Sequence, residues 1–164
     1  MAASSSSSPS SSWTYHVYLS YRIEDTHRGF TSHLYNALKQ RGIHSFTKGV
    51  AVEKGDDISA KSFFQAIEAS QIVLVILSRN YASSRYCLNE LVKIMECRRR
   101  LAQLVMPIFY KVDSSDVRHL QGTYGEAMKR HELRLESGND KALRWSEALR
   151  EIANVTGFHL TTDR

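Results

Sequence analysis

An aromatic ring, a thiol and a carboxylate stand within five residues at Tyr86-Cys87-Leu88-Asn89-Glu90. Together with Arg22, earlier in the chain, they have the makings of a pocket for a ribose. The Glu90 carboxylate would accept from sugar hydroxyls, Tyr86 and Tyr81 would offer ring faces, and Arg22 would supply positive charge. A plainer account of Glu90 is stronger on spacing alone: an acid in the first turn of a helix is favoured by the macrodipole. Cys87 falls at or near the start of the same helix, where a thiol pKa can fall, although a small buried packing residue is the favoured reading. Ser32 and His33 are adjacent on the outer side of an earlier helix, opposite Leu34 and Leu38. They are a solvated pair or a contact patch.

Other chemistries are excluded. No Gly-x-Gly-x-x-Gly follows the first strand and there is no Walker lysine loop, so the usual phosphate cradles are missing. A phosphoacceptor receiver needs an Asp at the tip of the third strand, where this chain has Leu77-Ser78-Arg79. No Ser-His-Asp set stands out. The seven histidines are scattered without ligand spacing, and the ten-residue separation of Cys87 and Cys97 fits no metal pattern, so no metal is expected. Two cysteines do not make a disulfide scaffold; they read as reduced thiols on one helix, in a cytosolic or nuclear setting.

With 164 residues the chain is long enough for one domain and one core. Its formal charge of +5 concentrates in Arg98-Arg99-Arg100 and in Lys129, Arg130, His131 and Arg134. Without interleaved aromatics these runs read as solvated helix faces, and a nucleic-acid patch is disfavoured. No apolar window is long enough to span a membrane. Residues 1–12 are almost all serine after Met-Ala-Ala and read as a flexible, disordered leader; a single domain is expected over residues 13–164.

Alternating apolar residues predict a strand over Tyr15–Tyr21, and helical spacing takes over from Phe30 to Arg41, ended by Gly42. Ile43–Phe46 reads as a short second strand and Thr47–Asp57, with Gly49 and Gly55, as a loop. A helix over Ile58–Ala69 precedes Ile72–Leu77, whose unbroken apolar run is that of a strand buried on both faces. Ser78–Tyr86 reads as loop, Cys87–Arg100 as helix, and Leu104–Tyr110 as a strand whose Pro107 belongs near an edge or bulge. Asp113–Gly125 reads as irregular. Helices follow over Tyr124–Leu135 and Leu143–Ile152, separated by Gly138-Asn139-Asp140, and Gly157–Leu160 forms a last short strand. Strands alternating with such helices require a parallel sheet. The fold class is α/β, flavodoxin-like, with four to five parallel strands and helices on both faces. Ligands bind beyond the carboxyl ends of such strands, which points to Ser20 to Asp25, Thr47 to Gly49, Ser78 to Glu90 and Tyr110 to Asp116.

Several stretches carry a resemblance: Tyr15-His-Val-Tyr-Leu-Ser-Tyr-Arg, Glu24-Asp-Thr, Phe30-Thr-Ser-His-Leu-Tyr, Ser83-Ser-Arg-Tyr-Cys-Leu-Asn-Glu-Leu, Pro107-Ile-Phe-Tyr and Asp116-Val-Arg. In this order they resemble the Toll/interleukin-1 receptor (TIR) domain found at the N-terminus of plant intracellular immune receptors. The resemblance implies a self-associating signalling domain that triggers defence and cell death, acting on itself through homotypic contacts and on downstream signalling proteins. It implies that Ser32 and His33 lie at the centre of one helix-to-helix interface. It also implies cleavage of NAD, as substrate and not cofactor, at the nicotinamide–ribose bond when the domain is clustered, with Glu90 catalytic and Arg22, Tyr86, Cys87 and Lys48 around the bound dinucleotide. The alternative is a weakly catalytic or non-catalytic interaction module. The resemblance further implies that this chain is the N-terminal part of a longer receptor.

The chain departs from the family pattern at Ile23, His27, Tyr86, Ser114 and the pair Lys48-Gly49. All but Ser114 are expected around the pocket. Lys48-Gly49 replaces an acidic pair, which reverses the local charge and is expected to loosen the backbone.

Overall fold

The computed structural model describes residues 13–55, 59–136 and 139–160; the serine-rich leader expected over residues 1–12 lies outside them. Tyr15–Ser20 forms strand β1 and is followed by a single helical turn, α1 (Ile23–Thr26), and helix α2 (Phe30–Gln40). Gly42 takes φ +76°, a conformation glycine adopts without Cβ strain, and turns the chain out of α2. Strand β2 is only Ser45–Phe46.

The next segment corrects the sequence reading. Lys48–Glu53 is a helix, α3, and not a loop. The Thr47 side chain caps it by accepting from the Val50 N–H at 3.1 Å. The two glycines suggested a loop, but Gly49 is helical and buried, with its Cα against the His27 ring. A Cβ at this position would run into that ring, so glycine here serves a close approach and does not loosen the backbone.

Helix α4 (Ala60–Glu68) leads into strand β3 (Ser70–Leu77), and a 3₁₀ turn at Tyr81–Ser83 leads into helix α5 (Arg85–Leu101). Strand β4 (Leu104–Tyr110) follows. The region expected to be irregular holds a short helix, α6 (Ser114–Arg118), capped by Asp113, which accepts from the Ser115 N–H at 2.9 Å. Five residues are too few to show periodicity. Helices α7 (Gly122–Arg134) and α8 (Lys141–Ala153) and strand β5 (Phe158–Leu160) complete the described chain.

All five strands are parallel, in the order β2-β1-β3-β4-β5. This is the flavodoxin order, in which chain direction across the sheet switches between β1 and β3. Pro107 faces Val75 of β3, but β5 pairs with β4 only from Ile108 onward, so the proline occupies a locally unpaired edge as expected.

Side chains alternate between two apolar layers. Val17, Leu19, Leu74, Ile76 and Ile108 pack beneath Phe30, Leu34 and Leu38 of α2. Tyr18, Val73, Val75, Leu77 and Phe109 pack against Leu88, Leu91 and Met95 of α5 and Trp145, Leu149 and Ile152 of α8. The unbroken apolar run of β3 is thereby buried on both faces. Arg98, Arg99 and Arg100 close the last turn of α5, where cations suit the helix dipole. Arg98 and Arg99 meet Glu151 at 3.4 and 2.7 Å, and Arg100 meets Glu68 at 3.4 Å. This basic run ties α5 to its neighbours.

Candidate functional site

The strand period of two puts Tyr18 and Ser20 on the face of β1 that α5 covers. Their hydroxyls converge on Glu90. Glu90 is not in the first turn of α5, as expected from sequence; the helix begins at Arg85 and carries no acid in that turn. The macrodipole therefore does not explain it. Glu90 is 2% exposed, and three groups hold its carboxylate. Ser20 donates to Oε1 at 2.7 Å, Tyr18 donates to Oε2 at 2.9 Å, and the Lys48 ammonium lies 2.5 Å from Oε2. The Tyr81 hydroxyl, 2.8 Å from Ser20 Oγ, extends the network.

Burial, and then the neighbouring Glu90 charge, push the Tyr18 phenol well above its ordinary value. Tyr18 therefore stays a donor across the usual pH range. The same factors act on Cys87: burial first, then Glu90, raise its thiol to about 11, against the opposing pull of Lys48. Cys87 is thus a neutral thiol packed 3.8 Å from the Tyr21 carbonyl, not an activated thiolate, and its sequence reading as a packing residue holds.

Glu90 and Lys48 open into a cleft of about 630 Å³ at the carboxyl end of β1. Arg22, Tyr86, Phe63 and Trp145 share its walls. Tyr86 is 74% exposed, with its ring free to meet a planar group. Lys48 Nζ lies 5.2 Å from the centroid of Phe63, so one cation is held between an anion and a ring face. Four cationic side chains (Arg22, Lys48, Lys141 and Arg144) line the cleft, against two carboxylates, Glu24 and Glu90. Phe63 and Trp145 fall within helices expected from the sequence, but nothing in their spacing connects them to a site. Lys141 and Arg144 were missed altogether, because α8 reaches the cleft only through the tertiary fold.

Arg22 Nη1 lies 3.2 Å from Asp25 and 3.9 Å from Glu24, while its Nε is buried without a hydrogen-bond partner. Asp25 clips the ends of two strands together. It accepts from the Ser78 hydroxyl at 2.6 Å and from the Asn80 N–H at 2.9 Å. Burial alone would raise its pKa, but these bonds and the Arg22 charge outweigh burial and hold it below the ordinary value. A carboxyl with a depressed folded pKa stabilises the fold above its unfolded value of about 3.9, and that contribution is lost as pH falls through the lower folded value. Thermal unfolding from pH 7 to 3 should therefore show an acid limb beginning near pH 5 that is flatter in Asp25→Asn. Identical limbs would remove Asp25 as a cause.

The structure separates the remaining candidates from the cleft. His33 is exposed on α2, and Ser32 lines a different, smaller pocket of about 180 Å³ with Tyr35 and Glu53. His27 and Gly49 were expected around the cleft, but neither lines it: Gly49 lies within α3 and faces the His27 ring. The Gly49 N–H donates to the Tyr21 hydroxyl at 3.1 Å, and that hydroxyl lies 2.9 Å from His27 Nδ1. His27 Nε2 faces Glu53 at 3.2 Å. Two departures from the family pattern thus fit one another: the small residue at 49 makes room for the ring at 27. Ile23, Tyr86 and Lys48 do line the cleft.

The family model of the TIR domain matches residues 14–163. The chain belongs to the TIR family. This TIR domain is 49% identical over 165 residues to disease resistance protein RPV1 of Vitis rotundifolia, covering 99% of this chain and 11% of that protein. It is 48% identical over 152 residues to TMV resistance protein N of Nicotiana glutinosa, covering 93% of this chain and 13% of that protein. The chain thus spans only about an eighth of the curated relatives it matches. Among solved structures it superimposes on the TIR domains of the activated Roq1 resistosome, which directly recognises the pathogen effector XopQ. That match has a TM-score of 0.82 and 43% identity, and covers 90% of this chain and 88% of the other. The flavodoxin-like fold is therefore that of a plant resistance-protein TIR domain. Among the described residues no helix is long and apolar enough to cross a membrane.

Proposed function

We propose that this TIR domain is the signalling part of a longer plant immune receptor, acting in the cytosol or nucleus, that self-associates and hydrolyses NAD to trigger defence and cell death. The observation that carries the catalytic reading is Glu90, a buried carboxylate at the floor of a cation-lined cleft at the sheet's switch point. In the reaction the bond between ribose C1′ and the nicotinamide nitrogen breaks. Its electron pair leaves with the nitrogen, so nicotinamide departs neutral. Water adds its oxygen to C1′ and releases one proton to solvent, giving ADP-ribose. Glu90 holds ribose hydroxyls and stabilises the positive charge that develops on the sugar as the bond lengthens. Tyr86 stacks on a ring of the dinucleotide, and Arg22 supplies positive charge for the phosphates. Release of nicotinamide from NAD by the concentrated domain tests this reading, and its absence at every protein concentration would reject it.

A specific observation favours the second reading, a domain that signals through contacts alone: Lys48 already sits on the Glu90 carboxylate. Both readings require association. The Roq1 match is to TIR domains within an assembly, and His33 is exposed on α2, which leaves it open to a two-fold contact with its symmetry mate. His33→Ala is expected to lower the mass seen by light scattering at high concentration while leaving the thermal transition in place, since an exposed side chain contributes little to folding. Equal mass for variant and wild type would place the contact elsewhere.

A further inference from the structure

Lys48 makes the shortest contact to the Glu90 carboxylate. Its ammonium neutralises the charge on which hydrolysis depends. Glu90 in this state already engages Tyr18, Ser20 and Lys48, and little of its accepting capacity is left for ribose hydroxyls. The cleft nevertheless carries more cationic than anionic side chains: Arg22, Lys48, Lys141 and Arg144 against Glu24 and Glu90. That lining suits a ligand with two adjacent negative charges. Lys48 reaches both regions: its nitrogen lies over Phe63 at the cleft wall as well as beside Glu90.

We infer that Lys48 is a charge-exchange residue: in the empty cleft it is the counter-ion of Glu90, and when a diphosphate-bearing ligand enters it moves onto the phosphates and frees the carboxylate. This rests on the proposed hydrolysis of NAD only for its consequence, not for the exchange itself. The exchange follows from electrostatics. A buried carboxylate loses its partner at high cost, and an anion that takes over the ammonium offsets that loss. Phosphate oxygens are the one part of a dinucleotide able to do so, and charge-assisted bonds of this kind are the strong ones. The device makes the diphosphate a condition for catalysis: a substrate with the same glycosidic bond but no diphosphate meets a Glu90 that is still occupied. Lys48 is in this sense a specificity residue acting through Glu90.

Two measurements test it. In the first, inorganic pyrophosphate is titrated calorimetrically into the folded wild-type domain and into Lys48→Gln, Lys48→Arg and Glu90→Gln. Lys48→Gln is expected to bind about tenfold more weakly or worse, the loss of one charge-assisted bond. Lys48→Arg is expected to retain binding, and Glu90→Gln to bind more tightly than wild type because its lysine is no longer held. In the second, nicotinamide release is compared for NAD and for nicotinamide riboside. The wild type should favour NAD strongly. Lys48→Gln should cleave the riboside faster than wild type does and NAD more slowly, so that the ratio of the two kcat/KM values drops at least about tenfold. Equal pyrophosphate affinity in wild type and Lys48→Gln, or weaker binding in Glu90→Gln, would overturn the exchange. So would an unchanged substrate ratio. If the wild type releases no nicotinamide from either substrate, the hydrolase reading fails and the calorimetric result alone decides for or against the exchange.

Discussion

Glu90→Ala is expected to abolish nicotinamide release and to destabilise the domain by about 3–5 kcal/mol, the usual cost of stripping one partner from a buried ion pair. The side chains of Lys48 and Glu90 are 11% and 2% exposed, so the lysine left behind has little access to water. Tyr18 and Ser20 lose an acceptor in the same step, in a part of the core where both are fully buried. For a domain of this size the thermal midpoint should drop on the order of 10 °C. A helix-dipole role, the reading favoured by spacing alone, would cost only about 0.3–1 kcal/mol. Thermal unfolding separates the two. The companion variant is the double substitution Lys48→Met with Glu90→Leu, which removes both charges and replaces them with apolar bulk. It should recover most of the lost stability and none of the activity. A single variant as stable as wild type would show that the pair is solvated and not buried.

Specific nicotinamide release is expected to rise with protein concentration, and to do so much less in His33→Ala. The structure changes the reason for this. A mobile loop over Thr47–Asp57 would have left the pocket unformed in the monomer, but α3 is a capped helix whose first residue is bonded to Glu90. The barrier is then not disorder. It is the cost of lifting Lys48 from the carboxylate. If that costs about 3 kcal/mol, only about 1% of isolated domains are competent at any moment. A neighbour that shifts α3 could raise activity by up to about a hundredfold. Tyr21 and His27 hold α3 through Gly49 and Glu53, and with Glu53 they line the small pocket beside α2. The face carrying Ser32 is therefore mechanically connected to Lys48. Specific activity measured across a wide concentration range checks the idea, and a flat response shared by wild type and His33→Ala would disconnect association from catalysis.

The sheet was legible because each of its strands carries a pattern that only one environment satisfies. Ile72–Leu77 is apolar at every position, which water tolerates on neither face, and the structure buries it between α2 and α5. Pro107 was placed correctly near an unpaired edge, since a missing N–H restricts where a residue can sit in any ladder. Helix α3 was not legible from its glycines. A close approach to a neighbouring side chain and a flexible turn select the same residue, and only the His27 ring against Gly49 tells them apart. Helix α6 escaped because a single turn shows no period. The start of α5 was misjudged by two residues, enough to move Glu90 out of the first turn and to change the explanation of its role.

The amino-acid sequence by itself determined the parallel α/β architecture and the order of its elements, because hydrophobic period is a property of neighbours along the chain; Glu90 was marked out only by the resemblance to the TIR family. The tertiary structure decided what surrounds that carboxylate. Tyr18 and Ser20 come from β1, Lys48 from α3, Phe63 from α4 and Trp145 from α8, and no local pattern records that these five meet. Tertiary structure also decided the state of each group: a thiol near a helix start that burial keeps neutral, and a lysine, expected beside a bound dinucleotide, that folding drives onto the acid. Charge and burial act through space, and their outcome depends on distances that exist only once the chain has folded.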